Sequence, residues 1–273
     1  MNVLKKVLPI SMALGLIFTA CEKDENSNSV SSSTQASSFK VKMTDAPGDY
    51  AALNVEITGV EVYRESEGWI TLSNEAQYIN VLDLTNGAET TLAFQGNVEA
   101  GTYTKLKVSF GEQNTLQVNS DVSLAGLTLQ AMSTTTLDWN GPKEVEIVID
   151  EQVDAFNQGE VLLDFQVAQS IKEDVRSFVI DPMITVIEDA NTGVQGEVEG
   201  SAEAVVLLTN GEDTLSTYLN AEGQFLLRGV ESGMYDLIVQ TAKDSLMNSM
   251  NRTKVEQVVV SEGQISQVGT IQF

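Results

Sequence analysis

Histidine is absent from this chain of 273 residues, and cysteine occurs once, at Cys21. The absence of histidine excludes Ser-His-Asp and Cys-His nucleophile systems, His-ligated zinc and the usual general base near neutral pH. A single cysteine excludes a disulfide framework, a thiolate zinc cluster and an iron–sulfur cluster, since each needs at least two sulfurs. The 39 carboxylates show no spacing that marks a general acid or base, so we expect the protein not to be an enzyme.

Basic and aromatic residues are also scarce. The chain has 15 Lys and Arg against 39 Asp and Glu, and aromatics make up only 6% of it. Phosphate binding needs clustered Lys and Arg, so we expect neither nucleic acid nor anionic lipid as a partner. The few aromatics argue against a broad stacking platform for sugars.

The N-terminus reads as a lipoprotein signal peptide over residues 1–20. Lys5 and Lys6 precede fourteen mostly apolar residues, Val7–Ala20, a run shorter than the roughly 20 residues that span a membrane. Phe18-Thr19-Ala20-Cys21 resembles the bacterial lipoprotein signal box, which implies that Cys21 is acylated and holds the protein at a bilayer. The alternative is an incidental cysteine at the end of the signal.

A charged, Ser-rich segment follows Cys21. Glu22-Lys23-Asp24-Glu25 resembles the surface-export signal of Bacteroidota lipoproteins, which implies an outer-membrane protein facing the cell exterior; a charged start to a linker is the alternative. Residues 21–38 contain little to bury and are predicted to be a disordered tether. Loss of the signal removes two Lys and leaves 13 basic and 39 acidic residues, a formal net charge of −26.

The body, residues 39–187, alternates apolar and polar residues as half-buried antiparallel strands do. Leu53, Val55 and Ile57 show the pattern, which resumes in the opposite phase at Val60 after Gly59 and so indicates a β-bulge. No window of more than about ten residues has a 3.6-residue period with caps, so helices should be short and few.

Residues 188–193 interrupt the alternation and are predicted to be a linker to a second domain, 194–273. Seven short strands are predicted there: 194–198, 204–208, 214–219, 223–227, 235–240, 255–260 and 264–273. Residues 243–252 fit either one helical turn or an extended loop. The predicted fold class is therefore all-β, with two antiparallel immunoglobulin-like β-sandwiches in series.

One sequence pattern occurs in both halves. Val98–Tyr103 matches Val230–Tyr235, and an alternating strand follows in each case. Gly-x-Tyr at the start of a strand resembles the tyrosine corner of immunoglobulin-like sandwiches, in which the Tyr hydroxyl bonds back to the backbone. We expect structural roles for Tyr103 and Tyr235; two chance strand entries are the alternative.

The first domain resembles the bacterial family of domain of unknown function 4382 over roughly residues 38–187. The matching motifs, in chain order, are Thr44-Asp45-Ala46-Pro47, Gly68-Trp69, Leu82-Asp83-Leu84 with Asn86-Gly87, Ala100-Gly101-Thr102-Tyr103, Leu163-Asp164-Phe165, Ser170-Ile171 and Pro182. The resemblance implies an extracytoplasmic β-sandwich and brings no catalytic residue.

The second domain is similar to carboxypeptidase-regulatory-like, transthyretin-like sandwiches. The similarity lies in Gly196-Glu197-Val198, Ala204-Val205-Val206, Gly223-Gln224-Phe225, Gly229-Val230 and Gly233–Leu237. It implies a spacer or accessory module. The same fold group includes starch-binding domains, which makes glycan binding an analogy from fold.

Three carboxylates are candidate site residues. Asp45 and Asp49 flank Pro47 and Gly48 in one loop, where carboxylates and carbonyls could bind calcium as a cofactor. The favoured interpretation is a structural turn in which Asp45 caps nearby backbone amides, because the spacing fails the EF-hand pattern. Asp164, between Leu163 and Phe165, is expected to face solvent.

Trp139 is the candidate ligand-binding aromatic. It precedes the Asn140-Gly141-Pro142 turn and is expected at an exposed loop tip, where a sugar can stack on it. Trp69 opens a short strand and is expected to pack in the core.

The leading functional hypothesis is a non-catalytic, lipid-anchored cell-surface protein that acts as a binding or spacer module of the bacterial envelope. Its partners would be the membrane, through Cys21, and a glycan or a surface protein. Two alternatives remain: a carbohydrate-binding accessory lipoprotein, and a fimbria-like or adhesin subunit with an exchangeable strand.

Overall fold

The computed structural model describes residues 37–46, 48, 50–120, 122–124, 127–154, 156–200, 204–241 and 252–272. The predictions for the signal peptide, for Cys21 and for the tether up to residue 36 therefore lie outside the described residues. So do those for Asp49 and for residues 243–251.

The first half of the body consists of short strands, one 3-10 turn at Val81–Leu84 and one helical turn, α1, at Val167–Ser170. Its strands are β1 Ser37–Ala46, β2 Ala52–Arg64, β3 Gly68–Ser73, β4 Gln77–Asn80, β5 Thr90–Val98, β6 Gly101–Phe110, β7 Thr115–Gln117, β8 Val122–Leu124, β9 Leu127–Leu129, β10 Thr134–Thr136, β11 Asp138–Trp139, β12 Glu144–Val153, β13 Gly159–Gln166, β14 Ile171–Glu173, β15 Phe178–Ile180 and β16 Ile184–Ile187.

Two sheets face each other across the first core. One has the order β16-β13-β1-β5, and the other has the order β10-β7-β2-β6-β12, with β3 and β4 also paired to β2. A small sheet, β11-β15-β14, and the hairpin β8-β9 complete this half. The core contains Phe39, Leu53, Tyr103 and Phe165, which are at most 1% exposed. Alternation therefore sends one face of each strand into a shared apolar layer.

The first strand begins two residues earlier than the sequence predicted. Ser37 and Ser38 were assigned to the tether, but they pair with Val98 and Gly96 of β5. The Ser37 hydroxyl also donates to the carbonyl of Asp154, 3.1 Å away. Backbone pairing needs no apolar side chain, so hydrophobic alternation does not mark this boundary.

The second half forms another two-layer arrangement with its own core. Its strands are β17 Gly193–Glu199, β18 Ala204–Thr209, β19 Thr214–Tyr218, β20 Gln224–Arg228, β21 Gly233–Thr241, β22 Arg252–Val260 and β23 Ile265–Gln272. They form the sheets β20-β17-β23 and β19-β18-β21-β22. Val206, Leu208, Phe225 and Leu237 fill the space between them. These seven strands coincide with the seven predicted ones to within a few residues.

Three pairs of the described strands are parallel, among them the short pair β11–β15. β1 runs parallel to β13, and β17 runs parallel to β23, whereas the other pairs within these sheets are antiparallel. The predicted all-β sandwich class is confirmed, but alternation alone predicts which face a strand buries and not which neighbour it meets.

Both tyrosine corners are present. The Tyr103 hydroxyl donates to the carbonyl of Glu99 at 2.9 Å, and the Tyr235 hydroxyl donates to the carbonyl of Glu231 at 3.0 Å. Both side chains are buried, so each hydroxyl needs the backbone partner it finds. The bulge predicted at Gly59 also occurs, because the pairing of β2 with β6 shifts register between Ile57 and Gly59. Both predictions are confirmed.

Candidate functional site

A cavity of about 290 Å³ lies where the two halves of the body meet. Its wall includes Asp45, Asp164 and Gln166 of the first half and Ser216, Leu226 and Arg228 of the second. A volume near the lower end of roughly 300–1,000 Å³, with mixed polar and apolar walls, is typical of a site for a small molecule. We call this space the junction cavity.

Thr44 positions one side of the junction cavity. Its hydroxyl lies 2.9 Å from the carbonyl oxygen of Leu84 and 2.8 Å from that of Ala88. The turn between these carbonyls contains Asn86 and Gly87, both with positive φ, of 58° and 74°. The first strand therefore fixes the turn that reaches the second half.

Asn86 binds the backbone of the second half. Its side-chain Nδ2 donates to the carbonyl of Gln224 at 3.1 Å, and its Oδ1 accepts from the Leu226 amide at 2.5 Å. The Asn86 side chain thus pairs with β20 much as a neighbouring strand would. A Cβ on Gly87 would lie 2.6 Å from Leu226 Cδ2, so glycine permits this close approach.

An ion-pair chain runs beside the Asn86 contact. Arg228 Nη1 lies 2.5 Å from Glu89 Oε1, and Lys42 Nζ lies 2.9 Å from Glu89 Oε2. The Nε of Arg228 is buried and has no hydrogen-bond partner among the described residues. Buried donors in native proteins are almost always paired with protein, water or ligand, and Arg228 is a residue of the cavity wall.

Asp45 is 6% exposed, and neither of its carboxyl oxygens makes a hydrogen bond of normal geometry. The pKa of Asp45 is raised to about 9, first by burial and then by repulsion from Asp164, while the Val167 amide partly offsets both. Asp45 thus interacts with Asp164 of β13 and with the Val167 amide of α1. The cap on amides of its own loop stays a prediction, because part of that loop lies outside the described residues. The predicted calcium partner of Asp45, Asp49, lies outside the described residues too.

Asp164 occupies the outward phase of β13, as the alternation predicts, but it does not simply face solvent. It is half-buried, and its Oδ1 atom is buried. Its Oδ2 accepts a hydrogen bond from Gln166. The reason is that the second half of the body covers this end of the sheet, which a strand pattern within the first half cannot reveal.

Trp139 is not at an exposed loop tip. It lies in β11, is half-buried against the first core and packs against Phe110, with ring centroids 5.7 Å apart. β11 pairs with β15, which draws the side chain onto the core. The expectation of an exposed loop tip is therefore wrong, whereas a ligand-binding role for Trp139 stays a prediction.

Trp69 is likewise not in the core. Ile70 and Leu72 of the same strand turn inward, so Trp69 lies on the outer face beside Tyr63, with ring centroids 5.4 Å apart. Lys107 Nζ lies 4.6 Å from the centroid of the Trp69 ring and 2.6 Å from Glu61 Oε2. A half-exposed pair of aromatic rings bordered by charged groups results.

Two absences hold for the described part of the chain. No group of three or more His, Cys, Asp or Glu side chains is placed to hold a metal ion there. No helix within the same residues is long and apolar enough to cross a membrane.

Sequence reasoning missed the roles of Arg228, Asn86 and Ser216, because each depends on the docking of the two halves. The only available signal was Asn86-Gly87, a motif of the family resemblance with no partner visible in the sequence. The junction cavity offers hydrogen-bond donors, carboxylates and an apolar wall. This combination of groups suits ligand binding.

No characterised protein sequence matches the chain significantly. Three solved structures are similar to it in part. An adhesin candidate from Bacteroides ovatus shares 11% identity at a TM-score of 0.20, covering 94% of this chain and 95% of that one. A second adhesin candidate from the same organism shares 8% identity at a TM-score of 0.22, covering 86% of this chain and 87% of that one. The TIE protein of Bacillus anthracis shares 11% identity at a TM-score of 0.20, covering 86% of this chain and 40% of that one.

TM-scores near 0.2 are too low to transfer a function. The family comparison is more informative. The model for "Domain of unknown function (DUF4382)" matches residues 36–182, which is more than half of the chain, and its span contains the Thr44-Asp45 and Asn86-Gly87 motifs of the junction. The chain therefore belongs to the DUF4382 family.

Proposed function

We propose that this protein is a non-catalytic, lipid-anchored cell-surface module that binds a small polar ligand in the junction cavity. One observation carries the proposal: the cavity is built from both halves, and the buried Nε–H of Arg228 beside it has no partner. Such a group is satisfied when a water or ligand acceptor occupies the space.

The fixed geometry of the junction supports binding. Asn86 holds β20 through two hydrogen bonds, and Glu89 joins Arg228 to Lys42. A site whose walls are already held needs little reorganisation when the ligand enters, so less binding free energy is lost to ordering.

The chemistry of the walls favours binding over catalysis. The chain contains no histidine, and the cavity is lined mainly by hydroxyl, amide and aliphatic residues. Orientation of a ligand by a few polar groups within an apolar wall is the usual arrangement of a binding site.

The cellular setting of the proposal rests on the sequence. Cys21 at the end of the signal peptide would be acylated, and the acidic segment after it would direct the protein to the outer face of the outer membrane. The Ser-rich tether would then hold the body close to the membrane, where it meets molecules outside the cell.

A thermal-shift screen of the mature chain tests the proposed function. The probes are monosaccharides, disaccharides, amino acids, dicarboxylates and linear amines. We expect at least one class to raise the melting temperature of the wild type, since a ligand bound only to the folded state stabilises it. Ser216→Phe, which fills the cavity, should abolish that shift.

Thr104→Phe is the matched control, because Thr104 is exposed on β6 and does not line the cavity. It should retain the shift. No response to any class, or a shift that persists in Ser216→Phe, would contradict the proposal.

A second candidate function, glycan binding, is favoured by the outer-face aromatics. Trp69 and Tyr63 lie side by side, and Glu61 and Thr71 provide polar groups next to them. Sugars stack on aromatic rings and bond to adjacent carboxylates and hydroxyls. A glycan array should show binding that Trp69→Ala abolishes and Trp139→Phe preserves; the opposite result would move the site to Trp139.

A further inference from the structure

A second cleft, of about 420 Å³, lies on the outer face of the sheet β20-β17-β23. Val194 and Val198 of β17 are buried in the second core, so Gln195 and Glu197 point to the opposite face of the sheet. The volume lies within the roughly 300–1,000 Å³ of typical ligand sites. The outer face of the second sandwich therefore has room for a small ligand.

Strand register arranges the floor of this cleft in two rows of side chains. The rows, each running from β20 across β17 to β23, are Leu226-Gln195-Gln267 and Gln224-Glu197-Thr270. A register shift between β17 and β23, with Gly269 at a φ of 72°, brings Thr270 opposite Glu197. Three strands about 4.8 Å apart make a floor about 10 Å wide, and the rows lie about 6.7 Å apart. A floor of this size suits one or two sugar rings.

Side-chain amides dominate the floor. Gln195 and Gln267 make no side-chain hydrogen bond with another described residue, so their amide groups are open to a ligand. The Oε1 of Gln224 accepts from Asn220 Nδ2 at 3.3 Å, which leaves the NH₂ group of Gln224 to donate. Asn220 is itself held, because its Oδ1 accepts from the Gln224 backbone amide at 2.8 Å. We call the space lined by these four side chains the amide cleft.

We propose that the amide cleft binds a neutral saccharide of one or two rings. A side-chain amide has two N–H donors and a carbonyl acceptor, and a hydroxyl both donates and accepts, so one amide can bond to two neighbouring sugar hydroxyls. Leu226 provides an apolar surface for the C–H face of a ring. The floor thus matches both the polar and the apolar parts of a sugar.

The charge of the amide cleft favours a neutral ligand over an ion. Among the described residues of its wall, Glu197 carries the only charge. An anion would meet no Lys or Arg there, on a chain that is strongly acidic as a whole. A cation would meet one half-buried carboxylate, and a single solvated ion pair contributes little. Glu197 is instead an acceptor for a sugar hydroxyl.

This inference goes beyond the proposed function and does not rest on it. The amide cleft shares two wall residues with the junction cavity, Asn86 and Leu226, and its other walls are its own. Trp69 and Tyr63, on the outer face of the first sandwich, line neither space. Variants of Gln195 and Gln267 therefore separate the amide cleft from both other sites.

Nuclear magnetic resonance of the isotope-labelled mature chain tests the inference, since it observes side-chain NH₂ groups directly. The probes are maltose, cellobiose and lactose, with glucuronic acid and glucosamine as charged counterparts. We expect at least one neutral disaccharide to shift the Gln195 and Gln267 signals until they saturate. Gln195→Ala and Gln267→Ala should each weaken binding about two- to tenfold, the effect of one lost hydrogen bond, and the double variant should weaken it further.

Gln95→Ala, at an exposed amide on β5, is the matched control and should bind like the wild type. Ser216→Phe and Trp69→Ala should also bind normally, because neither residue lines the amide cleft. Failure of all three neutral disaccharides, tighter binding of a charged probe, or unchanged binding in the double variant would overturn the inference. Disaccharide binding that Ser216→Phe abolishes and the double variant keeps would overturn it as well, while supporting the junction cavity. The wild-type shifts need no variant, so a substitution that fails to fold leaves the test intact.

Discussion

Some buried side chains accept hydrogen bonds from groups of other segments. Glu56 is a clear case, because it is 8% exposed although it lies within β2. Its Oε1 accepts from the Tyr78 hydroxyl at 2.8 Å, and its Oε2 accepts from the Gln113 amide at 2.9 Å. The carboxylate therefore satisfies groups from two other segments.

The pKa of Glu56 is lowered, first by the hydrogen bond from the Gln113 amide and then by that from Tyr78. A carboxyl whose pKa is lower in the folded than in the unfolded state stabilises the fold at pH values above its unfolded pKa, near 4.5. That stabilisation is lost as the pH falls through the folded pKa.

We predict that Glu56→Gln destabilises the protein at pH 7 and that this difference shrinks as the pH falls through the folded pKa of Glu56, because the wild-type carboxyl is then also neutral. Urea unfolding from pH 3 to 7 measures it. Glu75→Gln, on an exposed residue, should differ little from the wild type at any pH. A Glu56→Gln deficit of equal size throughout would show that packing, and not charge, is responsible.

At the scale of elements, the turn containing Asn86 and Gly87 connects the two halves. β20 is an edge strand of its sheet, and an uncovered edge presents unpaired backbone groups. Asn86 covers two of these groups, at Gln224 and Leu226. The turn thus protects an edge and aligns the junction cavity at the same time.

We predict that Asn86→Ala speeds hydrogen exchange at the Leu226 amide about tenfold, since one hydrogen bond contributes about 0.5–1.5 kcal/mol. Hydrogen exchange followed by mass spectrometry measures it. Asn74→Ala, in an exposed loop, is the control and should leave this peptide unchanged. Unaltered protection of Gln224–Arg228 in Asn86→Ala would mean that the turn does not hold the strand.

The strands are the features of this protein that the sequence predicts best. Alternation located the strands of the second half, and the Gly-x-Tyr pattern predicted the hydrogen bonds of Tyr103 and Tyr235, because both signals are local. The burial of Asp45 and Asp164 in the wall of one cavity depends on the docking of the two halves, which no local pattern reveals. The exposure of Trp139 is mispredicted for a similar reason, because β11 pairs with β15 and the ring packs against Phe110.

For the whole molecule, the proposed anchor determines where the junction cavity operates. We predict that Cys21→Ser abolishes acyl labelling and releases the protein from the membrane, because acyl chains at this position would be its attachment. Metabolic labelling with a fatty-acid analogue and membrane fractionation measure the two effects. A variant that stays labelled, or stays with membranes after a high-salt wash, would refute lipidation at Cys21.

We propose that the ligand binds where the two sandwiches meet. Hydrogen exchange of the full mature chain locates this binding most directly. The probe is the compound that gives the largest thermal shift in the screen. We predict protection at residues 84–89, 164–166, 214–217 and 224–228, which surround the junction cavity. Protection confined to the strands that carry Tyr63, Trp69 and Lys107, with the junction unchanged, would contradict the account.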